Sequence, residues 1–127
     1  MLATKAWIYG KLSTDASVLS AFTDTDHVTD AYPEKVEVFP LLVFMDKNQA
    51  DMEYGDNAPV MSAQSFEVHV FTKLDLETTT NLSIPVYDLF RSLDFSCTMN
   101  GEVPDPVEGV RHRVMRFSRE LFPSDLI

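Results

Sequence analysis

Cysteine is nearly absent. Cys97 is the only one in 127 residues, so no disulfide can close within the chain, and an isolated thiol suits a reducing compartment. Glycine is scarce: Gly10, Gly55, Gly101 and Gly109 stand apart from one another, which excludes a glycine loop of the kind that cradles phosphates. Long apolar runs are missing too. The longest, residues 40–45, falls far short of the ~20 residues a membrane helix needs. The start, Met1-Leu2-Ala3-Thr4-Lys5, has no basic stretch leading into an apolar one. Neither a membrane span nor a secretion signal is therefore expected. Positive charge is in short supply, with 10 basic residues against 20 acidic ones and a net charge of −10.

What is present is an ordinary globular composition. The apolar fraction is 45%, and a chain of this length buries roughly two-thirds of the surface it exposes when unfolded, enough for one core without staples. Residues 1–127 are expected to form a single small, acidic, soluble domain. The charge is uneven. Residues 110–127 carry four arginines and two acidic residues, leaving 18 acidic and six basic residues in 1–109. The body is therefore expected to repel nucleic acid, since affinity for phosphate needs clustered cations. Arg111, Arg113, Arg116 and Arg119 are the exception.

Periodicity places the elements. Leu2, Ala6 and Tyr9 recur at helical spacing, with Ile8 and Leu12 beside them, predicting a helix over 2–12. Thr14 or Asp15 can cap a second short helix carrying Ala16, Val18, Leu19 and Phe22. Residues 23–40 are polar and turn-rich, with short strands possible at 28–32 and 36–39. Residues 41–46 read as a buried strand, apolar on both faces, and 48–60 as a long acidic loop. In 64–73, Phe66, Val68 and Val70 alternate with Glu67 and His69, so one face is core and the other is solvent or partner. Leu82, Val86, Leu89 and Leu93 mark a helix over 78–93. Pro85 is placed in its first turn with Ser83 as N-cap; the alternative is a kink. Strands over 95–99 and 110–121 close the chain. The order predicts an α+β fold: an antiparallel or mixed β-sheet of about 4–5 strands with two to three helices packed on one face.

Catalytic motifs are lacking. Asp24, Asp26, His27 and Asp30 have metal-ligand side chains, but the EF-hand pattern with its glycine is missing, so a solvated turn is expected. Glu67 and His69, two apart on one strand face, could let a carboxylate orient an imidazole, yet no G-x-S-x-G elbow supplies a nucleophile, and a surface pair is the expectation. Cys97 reads as a structural thiol. No cofactor or metal is expected. The four arginines have three readings: contact with phosphate, pairing with the acidic surface of a neighbouring copy, or an edge strand kept charged against aggregation. Asp51, Glu53 and Asp56 mark the acidic loop as a second interaction candidate.

The ordered set of segments resembles the tail-completion, or tail-to-head joining (neck), proteins of long-tailed bacteriophages, whose folds look like those of tail terminators. Residues 7–22 are similar to that group's helix, break at an aspartate and second helix, here Asp15. Tyr32-Pro33 followed by Phe39-Pro40 and an apolar strand is similar to its Tyr-Pro then strand pattern. Residues 66–73 resemble its central strand, 81–93 its following helix, and 109–117, after the turn at Asp105-Pro106, its closing strand. The resemblance implies a virion protein without an active site, present in the host cytoplasm during assembly. It implies a homo-oligomer, a hexameric ring, bound to connector and tail-tube proteins, with DNA passing through rather than specifically bound, and no membrane partner. On that reading the acidic loop is a contact arm, or a lining that repels passing DNA. Two other readings stay open: a small ligand-binding or hydrolytic domain built near His69 or Cys97, and an acidic inhibitor that mimics DNA charge.

Overall fold

Thr4, Ile8 and Leu12, spaced by four, form the buried stripe of helix α1 (Thr4–Thr14) in the computed structural model. The structure describes residues 4–23, 25–55 and 58–126, and of 25, 48–55, 58–62 and 123 the backbone alone. The expected stripe through Leu2, Ala6 and Tyr9 is corrected: Ala6 and Tyr9 face outward and Leu2 lies outside the described residues. Tyr9 instead lays its ring beside Phe44, 5.9 Å between centroids, so an amphipathic side chain covers the core from its rim. Helix α2 (Ala16–Phe22) starts as expected, at Asp15, whose carboxylate accepts from the amides of Ser17 and Val18.

The sheet runs β1 (Val28–Thr29), β2 (Leu41–Gly55), β3 (Ala58–Lys73), β4 (Ser96–Val103) and β5 (Val110–Leu121), in spatial order β1-β2-β3-β5-β4. β1 is parallel to β2 and the other pairs are antiparallel, a mixed sheet. Residues 48–60, expected as a loop, are instead mostly strand. β2 and β3 pair as far as Gly55 and Ala58, because backbone hydrogen bonds tolerate the polar side chains that hid the pattern. β5 ends opposite Ser62, so the hairpin continues past it as a two-stranded ribbon roughly 15 Å long. The strand expected at 36–39 does not form, and the one at 28–32 shrinks to two residues.

Helix α3 (Thr79–Ser92) is capped by Thr78, whose hydroxyl accepts from the Asn81 amide at 3.2 Å, and not by Ser83. Pro85 therefore sits inside the helix, where it leaves the Asn81 carbonyl without its usual donor. At the other end Asp94 takes a left-handed conformation, φ 66°. The amides of Asp94 and Phe95 return to the carbonyls of Arg91 and Phe90, both at 3.0 Å, which is a Schellman closure. Its apolar contact is Phe95 on Phe90, 5.3 Å between rings.

All three helices pack on the face bearing Leu42, Phe44, Phe66, Val68, Val70, Met115 and Phe117. Phe90 stacks on Phe117 at 4.3 Å and 3° and also meets Phe66. Among the described residues no helix is long and apolar enough to cross a membrane.

Phe90→Ala is expected to destabilise by about 3–5 kcal/mol, because it opens a cavity at the junction of α3 with three other rings. Asp94→Gly is expected to stabilise by about 0.5 kcal/mol, since glycine relieves the left-handed backbone at some entropic cost. Urea unfolding midpoints check both.

Candidate functional site

Alternation along β3 sends Glu67, His69 and Phe71 to the face without helices. Register sets His112, Val114 and Arg116 of β5 beside them and Leu41, Val43 and Met45 of β2 on the other flank. This face was expected to meet solvent or a partner. At its centre it does neither: Glu67 and His69 are only 6% and 7% exposed. The cover is a strap, residues 30–40, which lays Tyr32 edge-on to His69 and Phe71 at 5.1 and 5.9 Å. Val36 and Phe39 of the strap pack against Leu41, Val43 and Phe71.

A chain of short polar contacts runs from His69, beneath Tyr32, out to the exposed Arg116 and Lys47. Arg116 Nε donates to Glu67 Oε2 at 2.7 Å. His69 Nε2 lies 2.7 Å from Glu67 Oε1, and His69 Nδ1 lies 2.7 Å from His112 Nε2. Lys47 Nζ stands 3.9 Å from the same carboxylate. A carboxylate only accepts, so His69 Nε2 carries a proton. The hydrogen between His69 Nδ1 and His112 Nε2 then comes from one ring or the other.

The charges of these groups follow their surroundings. Burial works to raise the Glu67 carboxyl, but hydrogen bonds from Arg116 and His69, with the charges of His69 and Lys47, outweigh it and hold it below the ordinary range. Burial first, and the neighbouring His69 second, hold His112 below the ordinary imidazole range, against the pull of Asp105 and Glu67. Partial burial, with Asp105 and Glu67 nearby, pushes the Tyr32 phenol up.

The arginines are not brought together. Arg116 faces the strap side of the sheet, while Arg111 and Arg113 share the helix side with Met115 and Phe117. Arg113 is held by Thr79, Thr80 and Asn100. Arg119 donates to the Leu93 carbonyl at 2.7 Å and pairs with Asp125 at 3.3 Å. Arg111 is exposed. The backbone of Asp51 and Glu53 runs in the β2–β3 ribbon, their side chains are outside what the structure describes, and Asp56 lies outside the described residues altogether.

The other candidates are dispersed. His27 Nδ1 contacts the Pro40 carbonyl at 2.6 Å, Asp30 pairs with Lys5 at 3.5 Å, and Asp24 lies outside the described residues. Among the described residues no three His, Cys, Asp or Glu side chains group so as to hold a metal ion. Cys97 packs against the helix-side core, with the sheet between it and His69. Sequence reasoning saw Glu67 beside His69 but missed His112 and Arg116 as their partners. The available signal was the alternation in 112–116, which needs the β3–β5 register to become a contact.

Both sheet edges are open among the described residues. β4 pairs only with β5, and β1 covers β2 only at Leu42 and Val43.

No protein-family model and no curated protein matches the chain. Among solved structures, its fold is similar to that of a chain in "Virion of native gene transfer agent (GTA) particle". The TM-score is 0.67, over 93% of each chain, at 15% sequence identity. At that identity the likeness speaks for the fold.

Glu67→Gln is expected to cost about 1–3 kcal/mol at pH 7, since it weakens charge-assisted bonds to Arg116 and His69. The wild-type carboxylate titrates below its ordinary 4.5. Its stabilisation is therefore complete above that pH and is lost as pH falls through 4.5 and below. The gap between variant and wild type should narrow from pH 5 to pH 3 in urea unfolding, and a constant gap would contradict this account.

Proposed function

We propose that this chain is a structural subunit of a phage-like virion, acting in head–tail joining or tail completion as a ring, hexameric, at the neck. The observation that carries the reading is the fold, alike over 93% of its length to a chain of a gene transfer agent virion. The open edges of β4 and of outer β2 support it, because unpaired strand edges are ready-made surfaces for a neighbouring chain. The connector and tail-tube proteins are the proposed heterologous partners. No bond-making centre is invoked: recognition rests on shape, edge pairing and charge.

Charge enters in two places. Arg111 is exposed and, among the described residues, makes no ion pair, so its guanidinium is free to meet a neighbouring copy's carboxylates. Asp51 and Glu53, whose backbone runs in the ribbon, serve together with Asp56 as a contact arm, or as a lining that keeps passing DNA from adhering. The hydrolytic alternative draws on the Glu67–His69 contact, but both nitrogens of His69 are already engaged, by Glu67 and His112, so His69 is not free to act as the base that such a site would need.

Particles assembled without this protein are expected to fall into separate full heads and normal tails by electron microscopy. Overlong tails would assign the terminator role instead, and intact infectious particles would refute both. In the purified protein, Arg111→Glu is expected to weaken self-association about tenfold, or ~1.4 kcal/mol, with the fold unchanged by circular dichroism. Unaltered association in native mass spectrometry would remove Arg111 from the interface.

A further inference from the structure

The strap over the helix-free face rests on a contact that tolerates only one added proton. His69 Nδ1 and His112 Nε2 are 2.7 Å apart, so one of the two must present a lone pair. With His69 Nε2–H fixed on Glu67, the pair can be neutral, with His112 donating to His69, or can carry one extra proton on either ring. A second extra proton sets two N–H donors nose to nose and the contact cannot survive. We propose that the His69–His112 pair is a pH-sensitive latch that holds residues 30–40 closed over the sheet at neutral pH and releases them under mildly acidic conditions.

The strap's seat makes the coupling direct. Tyr32 lies edge-on to the His69 ring at 5.1 Å, and Phe71, which Tyr32 also touches, stacks on His112 at 4.2 Å. Separating the two imidazoles therefore moves both rings beneath Tyr32. His112 borders an open groove of about 300 Å³ beneath the 104–109 turn, which gives solvent protons a route to it.

The charged groups facing the pair come from each element around it. β2 contributes Lys47, β3 Glu67, β5 Arg116, the strap Tyr32, and the β4–β5 turn Asp105. Glu67 already serves Arg116 and His69, with Lys47 at longer range, so its charge is largely spent before a second imidazolium forms. Asp105 favours that imidazolium, while burial and His69 oppose it more strongly. The sign follows. A histidine whose folded titration lies below 6.5 takes up its proton more readily once released, so closure is favoured above that pH and loses ground below it.

Opening would uncover Leu41, Val43 and Phe71, which are buried beneath Val36 and Phe39 of the strap. The helix-side core contains no member of the latch and is expected to stay intact.

Hydrogen exchange by mass spectrometry on the full chain tests this, comparing pH 7.5 with pH 5.2 after correction for intrinsic exchange rates. Protection of peptides covering 28–40 is expected to fall at least tenfold, about 1.4 kcal/mol, while peptides of α3 and of 110–118 keep theirs. In His112→Gln, which retains a neutral hydrogen-bonding group, the pH dependence of 28–40 should disappear. Proton NMR of the wild type supplies a second readout should that variant fail to fold: the Tyr32 ring signals should shift with the same midpoint as one of the two imidazoles. Equal strap protection at both pH values, loss of protection throughout the chain at once, or Tyr32 signals insensitive to imidazole titration would each overturn the latch.

Discussion

Phe66, Val68 and Val70 project from one side of β3, Glu67, His69 and Phe71 from the other, and all six are withdrawn from water. That double burial is the constraint to which the other elements answer. On the helix side the requirement is bulk. Six of the nine phenylalanines in the chain, Phe22, Phe44, Phe66, Phe90, Phe95 and Phe117, are buried in this core, each contributing roughly 1.5–3 kcal/mol of burial. On the strap side the requirement is electrostatic. A carboxylate taken out of water costs several kcal/mol, so Glu67 is tolerable only with Arg116, His69 and Lys47 arranged around it.

These two requirements fix parts of the molecule that otherwise look unrelated. The Schellman closure of α3 turns the chain at Asp94 so that Phe95 drops back on Phe90 and Phe66. Arg119, from β5, then caps the Leu93 carbonyl at the same helix end, tying the last strand to the helix it supports. On the other face the strap supplies what a further helix layer would supply in a thicker fold. Its aromatic and aliphatic side chains cover the sheet with few residues, and the polar chain beneath it makes the cover conditional on protonation.

The functional reading grows from what the core leaves unfinished. A sheet that satisfies both faces still ends in two edges, and here neither edge is blunted along its whole length by a partner within the described residues. The ribbon beyond Ser62 extends the sheet past its core and carries acidic residues, while Arg111 stands free at the opposite end of β5. On the proposed reading, such a chain presents backbone and charge to neighbours and keeps its ionisable groups of unusual environment for internal use.

Sequence alone determined the α+β class, the mixed or antiparallel sheet, the N-cap of α2 at one of two adjacent residues, the two-faced alternation of β3 and the Leu82–Val86 half of the α3 stripe, because each is a local pattern read at period 2 or 3.6. The other half of that stripe passes to Phe90, with Leu89 and Leu93 only partly buried. It misplaced what depends on a distant chain segment. The acidic stretch 48–60 looks like a loop until β2 and β3 pair. Thr4 outranks Ala6 in the buried stripe of α1, and its hydroxyl reaches Gln64 Oε1 at 2.6 Å, sixty residues away. Pro85 lies inside α3 because tertiary packing of Thr79 and Leu82 holds the turn before it. The cluster of four arginines was a cluster only along the chain, since strand alternation sends Arg116 to one face and Arg111 and Arg113 to the other. Tertiary structure alone decided that Glu67 and His69 are buried, that His112 joins them, and that Tyr32 lies over His69 and Phe71, because strand register and the path of a strap are set by packing between segments and leave no mark on local spacing.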